Sequence, residues 1–238
     1  MSPERGDVLV SLAGVQKDYH GLRPLRVQRL EVRHAHTTAI VGLDQVTAEV
    51  LVNLITGASI PDTGEVRAFG QLTTEIANGD AWLTGLDQFG LMSERAVLLE
   101  QMTARQNLAV PLSLALQDLP EDVVAHVARL AAETSIEASA LEQRVADLSP
   151  LVRSRIRLAR ALALGPLVLL AEHPTAPLAA PDVPVFAADF ARAVSARRVA
   201  TLILTADQGF ARAVADEVLT LHPATGALTR DSAWRRWF

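Results

Sequence analysis

The sequence predicts an α/β protein with a parallel or mixed β-sheet and an inserted helical subdomain. Three observations predict this class. Short apolar runs alternate with segments of helical periodicity, which is typical of strands joined by crossover helices. One apolar run, Thr37–Val41, leads through Gly42 into a helical pattern. Between about Met102 and Leu162 helical patterns dominate, so a helical subdomain is expected to interrupt the sheet.

The individual elements follow from apolar runs bounded by turn residues. The predicted strands are Val8–Val15, Val27–Val32, Thr37–Val41, Glu65–Phe69, Leu167–Ala171, Val199–Thr205 and Glu217–Leu221. The predicted helices are about Ala48–Thr56, a helix that starts at Pro120, and about Val185–Ser195. The Ala/Pro-rich stretch Ala176–Pro184 is predicted to be a stiff loop. Residues 1–95 and 164–238 are therefore expected to form the α/β core, and residues 96–163 the helical subdomain.

Composition narrows the classes of partner. Half of the 238 residues are apolar, so a sizeable core can form. The formal net charge of -5 argues against a nucleic-acid partner held by a basic field. The chain has no cysteine, which excludes disulfides and thiol chemistry. It shows no signal segment, and its apolar runs are far shorter than the ~20 residues that span a bilayer. We therefore expect a cytoplasmic protein, or one held at a membrane by a partner.

Five segments, taken in order, resemble the motifs of a known family. They are 39–70 (AIVGLDQVTAEVLVNLITGASIPDTGEVRAFG), 102–112 (MTARQNLAVPL), 148–166 (LSPLVRSRIRLARALALGP), 167–178 (LVLLAEHPTAPL) and 201–221 (TLILTADQGFARAVADEVLTL). In this order and spacing they resemble the nucleotide-binding domain of ABC transporters, over nearly the whole chain. The resemblance implies a RecA-like P-loop NTPase core, Mg-ATP as ligand and a head-to-tail dimer of cassettes. It also implies a membrane permease that contacts the helical subdomain.

The phosphate loop of that family is altered in this chain. Such a loop needs glycines, a lysine and a Ser or Thr hydroxyl between a strand and a helix. In the family's register, the nucleotide-contacting positions are Tyr19, Gly42, Gln45, Thr47, Ala48, Glu49, Val50 and Glu94. Gly42 keeps the family's residue, but Ala48 stands at the lysine position and Glu49 at the hydroxyl position. The only lysine, Lys17, precedes the first predicted crossover and cannot replace the missing one.

Three of these positions allow more than one role. Glu49 is predicted to lie in the first turn of the helix, where an acid offsets the helix dipole in place of a phosphate. Tyr19 stands where the family stacks an aromatic ring on adenine, and it is equally well explained as a tyrosine at a strand edge. Glu94 falls at the family's glutamine-loop position, where it could touch magnesium or remain a solvated carboxylate.

The signature motif reads LSPLV instead of LSGGQ, at Ser149, Pro150, Leu151 and Val152. The family directs backbone N–H groups of this helix start at the partner's nucleotide. Pro150 has no N–H, and Leu151 is bulky where a phosphate would pass. We therefore expect Ser149 to serve as an N-cap and Pro150 to occupy the first helical position.

The Walker B and switch positions are altered as well. Glu172 stands at the metal-binding position and could reach magnesium through water. His173 stands at the position of the catalytic base, and an imidazole can accept a proton near neutral pH. The switch histidine is replaced by Ala206, and Asp207 is expected to cap a helix.

These substitutions predict a degenerate ABC cassette. Three hypotheses about its function remain open. The first is a pseudo-ATPase that binds ATP and magnesium weakly or not at all. It would have a structural or regulatory role on the inner face of the cell membrane beside a permease, and it would pair with an ATPase-competent cassette or with itself. The second is an active, exporter-like ATPase in which Glu172 and His173 carry displaced chemistry. The third is an interaction protein that kept the fold and left transport.

Overall fold

The structure is a computed structural model that describes residues 3–230. Its strands are β1 (Val8–Lys17), β2 (Leu25–Arg33), β3 (Thr37–Val41), β4 (Thr63–Ala68), β5 (Gln71–Leu72), β6 (Phe89–Met92), β7 (Val168–Glu172), β8 (Ala200–Thr205), β9 (Glu217–His222) and β10 (Ala227–Arg230). Its α-helices are α1 (Gln45–Ile55), α2 (Gly79–Leu86), α3 (Ala104–Ala109), α4 (Glu121–Glu133), α5 (Pro150–Leu162), α6 (Asp182–Arg197) and α7 (Gln208–Val214). The prediction of an α/β fold with a mixed sheet is confirmed.

The larger sheet has six strands in the order β10-β9-β3-β8-β7-β6. All its pairs are parallel except β9 with β10. Strands β3, β7 and β8 are buried along their whole length, as expected for apolar strands covered on both faces. Val41 pairs with Thr205, and Glu172 pairs with Leu204. The carboxyl ends of these three strands therefore meet at one edge of the sheet.

A second, antiparallel sheet has the order β2-β1-β4-β5. Its apolar residues share a core cluster with the buried face of α1, which includes Ala48, Leu51, Leu54 and Ile55. This cluster fixes the rotation of α1 about its own axis. The direction in which each α1 side chain points at the sheet edge is therefore set by packing between the two sheets.

The inserted helices have an apolar cluster of their own, formed by buried residues between Leu98 and Ala163. Helix α3 begins with a capping box of Thr103 and Gln106. Helix α5 belongs to both parts, because its Leu158 and Leu162 pack in the core cluster with β7 and α6. The division at 95/96 and 163/164 stays a prediction, and α5 has residues in the clusters on both sides of it.

Close packing holds α5 against the sheet. A Cβ atom on Gly90 of β6 would come within 2.2 Å of the carbonyl oxygen of Ala161. Only glycine fits there, so the C-terminal end of α5 lies directly against the start of β6. Because β6 runs parallel to β7, the loop that follows β6 lies at the same edge as the ends of β3, β7 and β8.

Two predicted boundaries were wrong. Helix α1 begins at Gln45, three residues before the predicted Ala48, because Asp44 caps it. Helix α6 begins at Asp182, so the end of the predicted loop Ala176–Pro184 is helical. A proline is tolerated in that first turn because the N–H groups there have no intrahelical partner.

Several short elements were not predicted: α2, α7 and the strands β5, β6 and β10. They are mostly too short to show a period, and β6 contains a glycine. Within residues 3–230, no helix is long and apolar enough to cross a membrane.

Candidate functional site

The candidate site lies at the carboxyl edge of β3, β7 and β8. The structure brings together three predicted segments there: the start of α1 after Gly42, the Glu172-His173 pair that ends β7, and Ala206 after β8. The loop after β6 adds a fourth, which contains Glu94. Parallel strands place their functional loops at this edge in doubly wound α/β folds.

The loop between β3 and α1 is short, and its helix start is closed internally. Gly42 turns the chain with φ of 84°. Asp44 caps α1: its carboxylate accepts a hydrogen bond from the backbone N–H of Thr47 at 2.7 Å. The N–H of Ala48 donates to the carbonyl oxygen of Asp44 at 3.0 Å. The Ala48 bond is the first hydrogen bond of the helix itself, so one of the open N–H groups that would face an anion, that of Thr47, already has a side-chain partner.

Asp44 also carries the negative charge that the helix start favours. The hydroxyl of Thr47 and then its backbone N–H lower the pKa of Asp44, and the nearby His173 lowers it further. The sequence interpretation assigned this electrostatic role to Glu49, which is wrong. Glu49 is the fifth helical residue, one turn too late, and no acid lies in the first turn of α1. The signal that was missed is an Asp three residues before a Thr at a strand-to-helix junction.

The remaining phosphate-loop positions face several directions. Ala48 is fully buried in the core cluster, at 0% exposure, and Val50 packs against the same cluster. Gln45 is exposed. The hydroxyls of Thr47 and Tyr19 lie 3.2 Å apart, within hydrogen-bond distance. Tyr19 is thus placed over the start of α1 and packs against the core cluster. Its role toward adenine stays a prediction.

An arginine that the sequence interpretation missed joins two of these segments. Arg95 follows Glu94 in the loop after β6. One guanidinium nitrogen lies 3.2 Å from Glu49 Oε1 and 3.2 Å from Asn53 Oδ1. The other is paired with Glu172 Oε1. The Arg95 guanidinium therefore bridges the carboxylate at the hydroxyl position of the phosphate loop and the carboxylate at the Walker B position.

Glu172 is the most buried charged group of this site, with 2% of its surface exposed. Burial raises the pKa of its carboxyl, and the hydrogen bond and charge of Arg95 act in the opposite direction. Its second oxygen, Oε2, is buried and has no hydrogen-bond partner within the protein. Glu172 therefore depends on one arginine for the stability of its ionised form.

The surroundings of His173 and Glu94 differ from those that their motif positions imply. His173 has a left-handed backbone with φ of 43°, fixed by its N–H donating to the Leu204 carbonyl at 2.8 Å. Its Nε2 is buried without a partner. Glu94 is exposed. Burial lowers the pKa of Arg157 on α5, and the charge of Glu94 opposes that shift, so Glu94 acts on α5.

The switch and signature segments form ordinary helix starts. Ala206 is exposed, and Asp207 caps α7 by accepting from the Phe210 N–H at 2.9 Å, as predicted. Ser149 caps α5, and Pro150 is its first residue, which confirms the capping prediction. Leu151 and Val152 pack against the two clusters that α5 joins.

The site contains carboxylates but no ready set of metal ligands. Among residues 3–230, no group of three or more His, Asp or Glu side chains is arranged to hold a metal ion. Glu172, which the sequence named as the metal-binding position, uses one oxygen for Arg95. The charged groups of the cleft are thus paired with one another, through one buried carboxylate, Glu172, and two partly exposed side chains, Arg95 and Glu49.

Comparisons with known proteins agree with this architecture. The chain is 29% identical to the lipoprotein-releasing system ATP-binding protein LolD of Xylella fastidiosa over 197 residues, which cover 81% of this chain and 79% of that protein. It is 28% identical to the Fe(3+) ions import ATP-binding protein FbpC of Serratia marcescens over 221 residues, 89% of this chain and 60% of that longer protein.

Two solved structures show the same fold. One is cbiO1 from Clostridium perfringens, part of the ABC transporter complex cbiONQ, with a TM-score of 0.77 and 19% identity over 94% of this chain and 87% of that one. The other is the dimeric ATP-binding cassette MJ0796 bound to ADP and Pi, with a TM-score of 0.74 and 20% identity over 93% of this chain and 98% of that one. The predicted RecA-like P-loop NTPase fold is thereby confirmed. The family model for ABC transporters matches residues 25–176, which is well over half of this chain. The chain therefore belongs to the ABC transporter family as an ATP-binding cassette domain.

Proposed function

We propose that this chain is a cassette subunit that has lost nucleotide hydrolysis and serves a structural or regulatory role beside a membrane permease. One observation carries the proposal: the Arg95 guanidinium lies between Glu49 and Glu172, at the positions where the family holds magnesium and phosphate. The chain supplies its own cation there. A divalent ion would have to displace an arginine that two carboxylates already neutralise.

The start of α1 supports the same proposal. Asp44 takes the N–H of Thr47 and places its negative charge where a phosphate would bind. Each charge-assisted hydrogen bond that a ligand fails to make costs about 1.5–3 kcal/mol. Two or three such losses would weaken a micromolar site to about millimolar or beyond, since about 1.4 kcal/mol is tenfold. The residues of this cleft therefore do not fit Mg-ATP.

In a head-to-tail cassette dimer, each composite site would take α1 from one chain and the start of α5 from the other. Here the start of α5 carries Pro150, which has no N–H to offer, and Leu151 packs into the core. This chain would thus weaken both sites of a heterodimer. We propose that any driving ATPase activity comes from another protein, whether the chain pairs with itself or with a competent cassette.

The partner that we propose is an integral-membrane permease contacted through the helical subdomain, which places the chain at the inner face of the cell membrane. Leu91, Val97 and Leu99 are exposed, and they lie on β6 and on the loop that leads into that subdomain. Val97 has 66% of its surface exposed. Exposed apolar side chains that form a contiguous patch are typical of a contact surface, and we propose that these three form part of one. The named systems of LolD and FbpC make a transport role the simplest assignment.

The test is ATP turnover by the purified chain with magnesium, alone and mixed with a competent cassette from the same transporter. We expect no turnover by this chain alone. The matched variant is His173→Ala, which should change nothing if the chain is inactive. Turnover by the wild type that His173→Ala abolishes would contradict the proposal and favour an active ATPase.

That active ATPase is the second candidate, and one observation favours it. His173 Nε2 has no protein partner and lies beside Glu172, as a general base would need.

The third candidate, an interaction protein outside transport, predicts that the chain does not copurify with a permease. Coexpression with a permease from the same gene cluster, followed by solubilisation and size-exclusion chromatography, separates this candidate from the first two.

A further inference from the structure

A group of unsatisfied polar atoms lies behind the Arg95 bridge. Among the described residues, six buried side-chain polar atoms make no hydrogen bond within the protein. Four of the six belong to residues that line one small cavity: Ser154 Oγ, Arg157 Nε, Glu172 Oε2 and His173 Nε2. Buried polar groups in folded proteins nearly always have a partner, so four exceptions in one place call for an explanation.

The cavity lies at the joint between the helical subdomain and the core. Ser154 and Arg157 come from α5, one turn apart, whereas Glu172 and His173 come from the end of β7. Ser154 is 0% exposed and Glu172 is 2% exposed. The cavity has a volume of about 10 Å³. That volume is close to the lower limit for a single water molecule, about 10–15 Å³.

The four atoms define the chemistry of an occupant. Arg157 Nε–H is a donor only, and an ionised Glu172 Oε2 is an acceptor only. Ser154 Oγ can donate, and His173 Nε2 accepts when the ring proton is on Nδ1. A cation would face the guanidinium of Arg157, and an anion would face the carboxylate of Glu172. A small neutral molecule with two donors and two acceptors fits all four atoms.

We infer that one buried water molecule bridges α5 to the end of β7 through Ser154, Arg157, Glu172 and His173. It accepts from Arg157 and Ser154 and donates to Glu172 and His173. Glu172 is then shared between two bridges: Oε1 binds Arg95, and Oε2 binds the water. Both bridges join the cleft to neighbouring elements without any nucleotide. The inference is independent of the proposed function, because it concerns the nucleotide-free protein.

The direct test is a crystal structure of the nucleotide-free full chain, at a resolution that places individual waters. We expect one peak within about 2.7–3.2 Å of at least three of the four atoms. Four atoms that pair directly with one another and leave no peak would overturn the inference. An anomalous signal or short metal–ligand distances at the peak would also overturn it, since the occupant would then be an ion.

A solution test counts long-lived internal waters by oxygen-17 magnetic relaxation dispersion. Ser154→Val fills the cavity with methyl groups, so we expect one long-lived water fewer than in the wild type. Ser195→Val, an exposed position on α6, is the control and should leave the count unchanged. An unchanged count in folded Ser154→Val would overturn the inference. If that variant does not fold, the crystal structure of Ser154→Ala decides, because the water should remain there with three partners.

Discussion

Single side chains at the start of α1 determine what the cleft can hold. Asp44 closes the helix start, Ala48 points into the core, and Arg95 reaches in from another loop. Each of these features stabilises the protein without a ligand. Asp44, Ala48 and Arg95 therefore each have a structural role in the nucleotide-free protein, which is the basis of the proposed loss of ligand chemistry.

Asp44→Ala should destabilise the protein by about 1 kcal/mol, the usual cost of removing an N-cap side chain. Asp44→Asn is the matched control and should lower the free energy of unfolding by only a few tenths of a kcal/mol, because asparagine caps a helix about as well. The pKa of Asp44 is lowered in the folded state, so its contribution is present above the unfolded pKa and is lost as pH falls through the folded pKa. Urea unfolding at neutral and acidic pH measures both effects, and equal losses in the two variants would contradict the capping role.

Ala48→Lys should not restore a phosphate site. The side chain at this position points into the core, so a lysine would overpack the core and bury a charge. We expect the free energy of unfolding to fall by about 2 kcal/mol or more. Gln45→Lys, on the exposed face of the same helix, should be nearly neutral. Chemical unfolding of both variants, with ATP titrations, tests this. A stable Ala48→Lys protein with newly acquired ATP affinity would show that the helix can rotate to present that position.

Arg95→Ala should raise the pKa of Glu172 above its wild-type value, because burial remains while the opposing arginine is gone. A carboxyl whose folded pKa is raised favours the folded state below the unfolded pKa, and that contribution is lost as pH rises through the folded pKa. The variant should therefore lose more stability than the wild type as pH rises from acidic to neutral. Carboxyl carbon-13 NMR titration measures the pKa, and Arg144→Ala, from an exposed pair, is the control. An unchanged Glu172 pKa in Arg95→Ala would contradict the bridge.

Among the elements, α5 and α6 are joined by a buried charge network. Asp189 of α6 accepts from Arg155 of α5 at 2.9 and 2.6 Å and from Ser135 at 2.6 Å. Arg192 adds a contact at 3.0 Å. Burial alone would raise the pKa of Asp189, but these partners lower it on balance. The Arg155 side chain is only 14% exposed because it lies against α6, where it pairs with Asp189.

Asp189→Asn should cost about 3 kcal/mol, because it leaves Arg155 without a counter-charge in a buried place. Asp147→Asn breaks an exposed pair with Arg144 and should cost at most about 1 kcal/mol. Because the pKa of Asp189 is lowered, its contribution is lost as pH falls through the folded pKa. Thermal or urea unfolding checks both variants. Equal effects of the two substitutions would show that the network does not join the helices.

For the molecule as a whole, the sequence predicted the parts that depend on local pattern. The buried run Thr37–Val41 and the turn at Gly42 could be read directly, and so could Ser149 as a cap, since each depends on neighbours in the chain. Arg95 could not be predicted, because its role depends on packing that brings the loop after β6 against α1 and β7. The start of α1 was misplaced because the capping residue Asp44 was not considered when the helix was predicted from its apolar pattern.

The cassette scaffold and the nucleotide cleft of this chain differ in how far they keep the family's features. The cassette fold, with its helical subdomain and exposed apolar loop, is kept complete among the described residues. The cleft, in contrast, is filled by interactions within the chain. Under the proposed function, the chain would dock on a permease and pair with a cassette, and it would depend on another protein for energy.

The measurement that tests the central claim most directly is a calorimetric titration of the nucleotide-free wild type with Mg-ATP. The account predicts no saturable binding, or a dissociation constant of about 1 mM or weaker, because Arg95 and Asp44 already occupy the positions that a magnesium triphosphate requires. Saturable one-to-one binding in the micromolar range would contradict it.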